Sequence, residues 1–233
     1  MREAMLTAVA GTVMLWLVSA TGACALGVAL ASGSLSRRRP VWLLARTVVN
    51  VTRGVPTSIL VVAGGIFALR FAGPLTLPAL FPGTHAAFQH VAWILAVTLT
   101  LGSAGHLAEI FRSAYEALGR TRREELTVLG LARWRHVWVI ASESALMALP
   151  ATGARLVHHL HNTAFAALFP VVELFGLLLA EAYTTFRVVE VALVGTGVYI
   201  ALSGVIWGGF KAAETVLRQG LVPVAAVRKG SPA

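Results

Sequence analysis

Apolar residues run through the chain in long blocks, separated by short charged segments. Residues 4–36 carry no charge. A helix needs about 20 apolar residues to cross the hydrocarbon core of a bilayer, so one span fits within that block. A second candidate covers residues 54–69, with a start a few residues earlier, and a third covers 86–108. Between residues 143 and 182 the apolar character is broken by Arg155, three histidines, Pro170 and Glu173, which predicts one spanning helix with an irregular or kinked part. Residues 188–210 form the last clear span. The pattern predicts an all-α integral membrane protein of about five transmembrane helices, a single domain over residues 1–233.

Composition agrees with the pattern. The chain is 57% hydrophobic and only 12% charged, against about 45–50% and about 25% in soluble domains. Its formal net charge is +9. The basic residues are spread between apolar blocks with no aromatic–basic face, so nucleic-acid binding is set aside. Cys24 is the single cysteine, which excludes an intrachain disulfide. It reads as a small packing residue, since the apolar run continues past it and is too long for a cleaved lipoprotein signal.

The distribution of charge sets an orientation. Segment 34–53 holds Arg37, Arg38, Arg39, Arg46 and Arg53. Segment 112–135 holds Arg112, Arg120, Arg122, Arg123, Arg133 and Arg135, and the chain end holds Lys211, Arg218, Arg228 and Lys229. The opposite-side segments hold only Arg2, Arg70 and Arg187. By the positive-inside rule the N-terminus is outside and the C-terminus cytoplasmic, which an odd number of spans satisfies. Residues 73–90, with Pro74, Pro78, Pro82 and Gly83, form a stiff external connection, and the tail over about 220–233 is expected to fray.

The segment between the third and fourth spans is the most specific. Glu116, Glu124 and Glu125 mingle there with six arginines, so it lies in water. Residues 122–129 lack glycine and proline and are expected to be helical, and Gly130 ends that helix. A second helical piece over 131–140 carries Trp134, Val137 and Trp138 on an apolar face. A solvated amphipathic connector has this signature, and so does a docking element for another protein.

The order of residues resembles the docking loop of ABC-transporter permeases. That family carries Glu-Ala-Ala, three residues and Gly, where this chain has Glu124, Glu125, Leu126 and Gly130. Upstream, residues 107–112 (Leu-Ala-Glu-Ile-Phe-Arg) look like the family's lead-in; downstream, residues 131–134 and Ala148-Leu149-Pro150 also resemble it. Thr52-Arg53-Gly54-Val55-Pro56 is similar to the Arg-Gly-Thr-Pro entry of the polar-amino-acid branch. His161-Asn162-Thr163-Ala164-Phe165 stands at its Lys-Asp/Asn-Thr-Ser-Leu, followed at the family's distance by Glu173, Thr185-Phe186 and Val189-Glu190. The resemblance implies a coupling-helix loop over about 112–140, gripped by two ATPase subunits through Glu124, Glu125, Leu126, Gly130 and Leu131. It further implies a second permease subunit, identical or homologous, and an extracytoplasmic substrate-binding protein in a bacterial plasma membrane. Departures bear on specificity: Glu125 and Leu126 replace alanines, His161 replaces lysine, Ala164 replaces serine, and Gly102 and His106 stand at an asparagine and a tyrosine.

The candidate substrate pathway comprises Glu173, Thr163, Asn162, His161 and His106. An intramembrane carboxylate is costly and faces protein or a water-filled cavity. Glu173 therefore reads either as a path residue meeting a substrate ammonium or as a structural group, a carboxylate bonded to a neighbouring helix or one made neutral by protonation. For Asn162 and Thr163, interhelical hydrogen bonding is the safer role. His158, His159 and His161 do not share one helical face and lack a zinc motif, so no metal site is expected; partial protonation of such a strip would give pH sensitivity.

The chain has no Gly-x-x-x-x-Gly-Lys-Ser/Thr loop and no nucleophile–base constellation. It is expected to be non-catalytic and to hold no cofactor, ATP and magnesium being bound by the partner ATPase. The function expected is the permease subunit of an ATP-driven importer for amino acids or related small polar solutes. A methionine-type importer permease, an ATP-independent secondary transporter or channel, and a membrane scaffold are the alternatives.

Overall fold

The structure, a computed structural model, describes residues 2–73, 77–118, 124–125, 128 and 133–221. Among them the helices are α1 (Arg2–Ser34), α2 (Arg39–Gly54), α3 (Thr57–Arg70), α4 (Gln89–Ala117), α5 (Arg133–Asn162), α6 (Leu174–Thr185) and α7 (Val188–Leu221). Short 3-10 turns precede α4 (Ala86–Phe88) and follow α5 (Thr163–Leu168). Among the described residues four helical segments are long and apolar enough to cross a membrane, and a fifth span arises if α2 and α3 count as one bent pair.

The second span differs from the sequence expectation. Helix starts afresh at Thr57 after a 96° bend, rather than at or before Gly54. Val55, extended at φ −95° and ψ 125°, precedes Pro56, and a residue before proline is driven out of the helical region. The 14 residues of α3 rise only about 21 Å, short of a bilayer core of about 30 Å. Helix α2 turns away from it and is amphipathic: Ala45, Val49 and Thr52 are buried, while Trp42, Leu43 and Leu44 are exposed.

The broken fourth region carries the irregular part expected of it, after a helix that starts earlier than the span. Helix α5 begins at Arg133, so the aqueous piece expected over 131–140 is continuous with the span, and it passes through Pro150. Membrane helices tolerate such a proline because neighbours re-satisfy the freed carbonyl. The irregular part comes later, as the 3-10 turn, an extended Phe169 and then α6. Helix α6 ends on Phe186 in the left-handed region at φ 58°, its amide donating to Ala182 O at 3.0 Å.

Helix α4 is the central element and the most buried span, packed by α1, α2, α3 and α5; α7 is the least covered. The core between α1, α3 and α4 is Leu15, Val61, Val91, Leu95 and Leu99. Small residues permit the close approach, as in other membrane helices. A Cβ on Gly65 would fall within the Phe169 ring, and one on Gly22 would meet the Thr100 hydroxyl at 2.8 Å. Gln89, buried at the start of α4, ties down the proline-rich connection: its amide nitrogen donates to Phe81 O and Thr84 O, each at 3.0 Å.

Candidate functional site

At the end of α4 adjoining the arginine-rich segment, Glu109 gathers three arginines. Arg46 of α2 lies at 3.2 Å, Arg53 at 4.0 Å, and Arg112 one turn along α4 makes the closest pair. Arg112 also reaches Glu116, at 2.6 Å. Arg39, Arg46 and Arg53 recur every seven residues, which puts them on one stripe of α2, and Arg46 and Arg53 from that stripe reach Glu109. The acid of the sequence motif at 108–112 thus fastens α2 to α4.

Deeper in the bundle a polar chain crosses three helices. His159 of α5 is buried, with Nε2 2.8 Å from Ser19 Oγ on α1 and Nδ1 2.7 Å from Ser103 Oγ on α4. Ser19 donates to Leu15 O at 2.6 Å, so its oxygen accepts from His159 Nε2–H. In the neutral ring Nδ1 is then the acceptor for Ser103. Arg155, one turn before, donates from Nη2 to Gly102 O at 2.9 Å and to Ser103 Oγ at 3.2 Å. Trp16 Nε1 adds a bond to Leu156 O at 2.9 Å. This chain satisfies polar groups that lipid cannot solvate.

Beside it lies a cavity of about 510 Å³ between α4 and α5, lined by Arg53, His106, Glu109, Ser113, Ala151 and Arg155 among others. A second cavity, of about 600 Å³, lies between α5, α6 and α7. Its lining is mostly apolar and includes His161, Tyr199 and Ser203. His161 Nε2 is 3.2 Å from Ser203 Oγ, and its ring meets Tyr199 edge-on at 6.1 Å.

The residues singled out from sequence therefore fall in separate places. His106 lines the first cavity and His161 the second. Glu173 is 1% exposed and caps α6: one carboxylate oxygen accepts from Phe175 N at 2.8 Å and the other from Gly176 N. Its carboxylate thus bonds to the helix it begins and not to a neighbouring one. Thr163, the first residue of the 3-10 turn, is buried and donates to Leu160 O of α5, 2.7 Å away; the amide nitrogen of Asn162 is buried without a hydrogen-bond partner. His158 is exposed, so the three neighbouring histidines occupy three environments, and among the described residues no group of three metal-ligating side chains occurs. Glu124 and Glu125 are helical and exposed; Leu126, Gly130 and Leu131 lie outside the described residues. Trp134, Val137 and Trp138 are each 60% exposed or more at the start of α5.

Sequence reasoning reads Arg155 only as a break in an apolar run and does not single out Ser19 or Ser103. An arginine within an apolar run was the available signal for the first; the serines carry none, because their meaning comes from a histidine on another helix.

No protein-family model matches the chain. By sequence it is 24% identical over 206 residues to the arginine transport system permease protein ArgU of Corynebacterium glutamicum, an alignment covering 87% of this chain and 65% of that protein. It is 25% identical over 203 residues to the nopaline transport system permease protein NocM of Agrobacterium fabrum, covering 87% and 83%. It is 28% identical over 134 residues to the probable amino-acid permease protein YxeN of Bacillus subtilis, covering 57% and 55%. The chain thus spans just under two thirds of the arginine permease and about half of YxeN. In fold it matches the crystal structure of an amino acid ABC transporter with histidines at a TM-score of 0.74 and 19% identity, over 92% of this chain and 94% of that one. It matches the inward-facing MetNI methionine ABC transporter at 0.69 and 16%, over 93% and 97%. A bundle of helices long and apolar enough to cross a membrane and a charged segment between two of them coincide with similarity over most of the chain to amino-acid transport permeases, and the chain shares the fold of ABC-transporter membrane subunits.

Proposed function

We propose that this chain is the membrane subunit of an ATP-driven importer for amino acids or related small polar solutes. It forms half of the translocation path, the other half coming from a second permease subunit, identical or homologous. The observation that carries the reading is the similarity over 87% of the chain to permeases named for arginine and nopaline transport. Helix α7 supports it: Leu193, Ile200 and Val205 are at least 66% exposed, leaving an apolar face for lipid or the second subunit.

The segment between α4 and α5 then lies in the cytosol, with the N-terminus outside and the C-terminus cytoplasmic, and takes up two ATPase subunits around Glu124, Glu125, Leu126, Gly130 and Leu131. An extracytoplasmic binding protein delivers the solute. ATP and magnesium belong to the ATPase subunits; the permease is non-catalytic. Approach of those subunits on ATP binding moves α4 and α5 through the loop joining them, and the bundle alternates between inward- and outward-open forms.

Co-expression with the ATPase and binding protein encoded beside it tests the assignment. The expected result is a co-purifying complex whose ATPase activity in liposomes rises when the loaded binding protein is added. Solute uptake by the chain alone, driven by an ion gradient without ATP, overturns it.

A further inference from the structure

We infer that the cavity between α4 and α5 binds the carboxylate of an anionic or zwitterionic solute through Arg155, and that it binds a net-cationic solute less tightly. The inference rests on the importer reading and narrows its substrate class.

Arg155 carries a full positive charge inside an apolar span, and among the described residues no carboxylate pairs with it. Its guanidinium is only partly committed. Nη2 donates to Gly102 O and Ser103 Oγ, whereas Nε is buried without a partner. A cation in a membrane span without a counter-charge is an expensive arrangement, and such residues characteristically face a pathway or pair with something. Arg155 does line a cavity, of about 510 Å³, which has room for a small solute.

The other charges around this cavity add to the effect. Arg53 lines it as well, and His106 contributes a polar ring. Its one lining carboxylate, Glu109, is taken up by Arg112 and Arg46, with Arg53 a further 4.0 Å away. Glu173, the other intramembrane acid considered for meeting an ammonium, spends both oxygens on backbone amides. The cavity therefore offers a cation to an entering carboxylate and no free carboxylate to an entering guanidinium or ammonium. A planar guanidinium matches a carboxylate in geometry as well as charge. The hydrogen bonds to Gly102 and Ser103 hold the head group in place before a solute arrives.

The full chain in phosphatidylcholine nanodiscs, where no anionic headgroup competes, gives the test. L-glutamate, L-glutamine, L-arginine and inorganic phosphate are titrated at constant ionic strength, with binding read by thermal shift and by calorimetry. L-glutamate is expected to bind more tightly than L-arginine, whose α-carboxylate can still meet Arg155 but whose guanidinium enters a cavity already lined by Arg53 and Arg155. Arg155→Gln is expected to weaken glutamate binding at least about tenfold. Ala151→Trp, which fills the cavity without touching the bonds of Arg155, is expected to abolish it and shows the effect where Arg155→Gln fails to fold. Binding of L-arginine as tight as that of L-glutamate, unchanged glutamate binding in both variants, or no binding of either amino acid by the wild type overturns the inference. Equal binding of phosphate also overturns it, as it marks a general anion site. Because these readings need no ATPase, failure of the complex to assemble strikes the importer assignment and leaves this result standing.

Discussion

His159 on α5 and Ser103 on α4 are joined at 2.7 Å, and the same imidazole reaches Ser19 on α1 at 2.8 Å on its other side. One ring therefore fastens three spans at a depth where water does not compete. Replacing it by phenylalanine keeps the bulk but takes the acceptor from the Ser103 hydroxyl and leaves Ser19 with its backbone bonds alone. Side-chain hydrogen bonds in membranes average about 0.6 kcal/mol each, whereas leaving a buried polar group unsatisfied costs about 1–3 kcal/mol. His159→Phe is accordingly expected to destabilise the chain by about 2 kcal/mol. Cys24 supplies the probe: it is the only cysteine, partly buried, and packs against the cluster of Leu107 and Leu156. Its labelling by a thiol-reactive fluorophore during heating reports the melting point. A double-mutant cycle with Ser103→Ala should show coupling, and strictly additive losses argue against the shared bond.

Glu109 neutralises the seam between α2 and α4, and Glu109→Gln leaves Arg46 and Arg112 facing each other across a weaker acceptor. The side chains are about one quarter exposed, so the network is screened in part and its loss is expected to be about 1 kcal/mol. Screening gives a second signature. The gap in melting temperature between wild type and Glu109→Gln should narrow as salt rises toward about 1 M, where the Debye length is about 3 Å. A gap independent of salt points to packing instead.

The long apolar runs gave away α1, α4 and α7 because a bilayer demands length and apolarity together, and these leave a mark that no tertiary contact is needed to read. The bend at Pro56 was less visible. Pro56 near a helix start is compatible with a straight entry, and what turns the chain is the extended Val55 before it. The stripe of Arg39, Arg46 and Arg53 was present in the sequence, but its target, Glu109, is on another helix. Glu173 shows the same limit: an acid before the apolar run 174–180 fits a helix cap or a path residue equally, and only the amides of Phe175 and Gly176 distinguish them. Ser19 and His159 are 140 positions apart, beyond any local pattern.

That distinction can be put to work. If Glu173 serves α6 as its cap, an asparagine should substitute, since short polar side chains cap well and alanine does not. Glu173→Ala is expected to lose about 1 kcal/mol in the same thiol-labelling melt, and Glu173→Asn to recover most of it. Uptake in reconstituted complex should follow stability, falling with alanine and returning with asparagine. Uptake that stays lost in the asparagine variant, with stability restored, would assign the carboxylate charge to transport.

Gly65 on α3 is pressed against the ring of Phe169, which follows the 3-10 turn. Any side chain there must push the ring or the helix aside, and overpacking costs about 1–3 kcal/mol. Gly65→Ala is expected to lower the melting point, and adding Phe169→Leu should restore part of the loss by withdrawing the ring. If the double variant melts below both single ones, the contact is not the cause.

The docking assignment is open to a direct test at Glu124 and Gly130. Glu124 is exposed and helical, and most surface substitutions change stability by only about 0.5 kcal/mol. The melting point of Glu124→Arg, measured beside uptake, separates a loss of stability from a loss of docking. If ATPase subunits grip this segment, the charge reversal acts on them instead: less ATPase should co-purify, or the complex should hydrolyse ATP with less uptake per turnover. Gly130→Pro removes a backbone donor and fixes φ, and it is expected to reduce coupling through the shape of the segment rather than its charge. Radiolabelled uptake measured against phosphate release in the same vesicles separates assembly from coupling. Wild-type ratios and wild-type assembly in both variants would place the ATPase contact elsewhere on the chain.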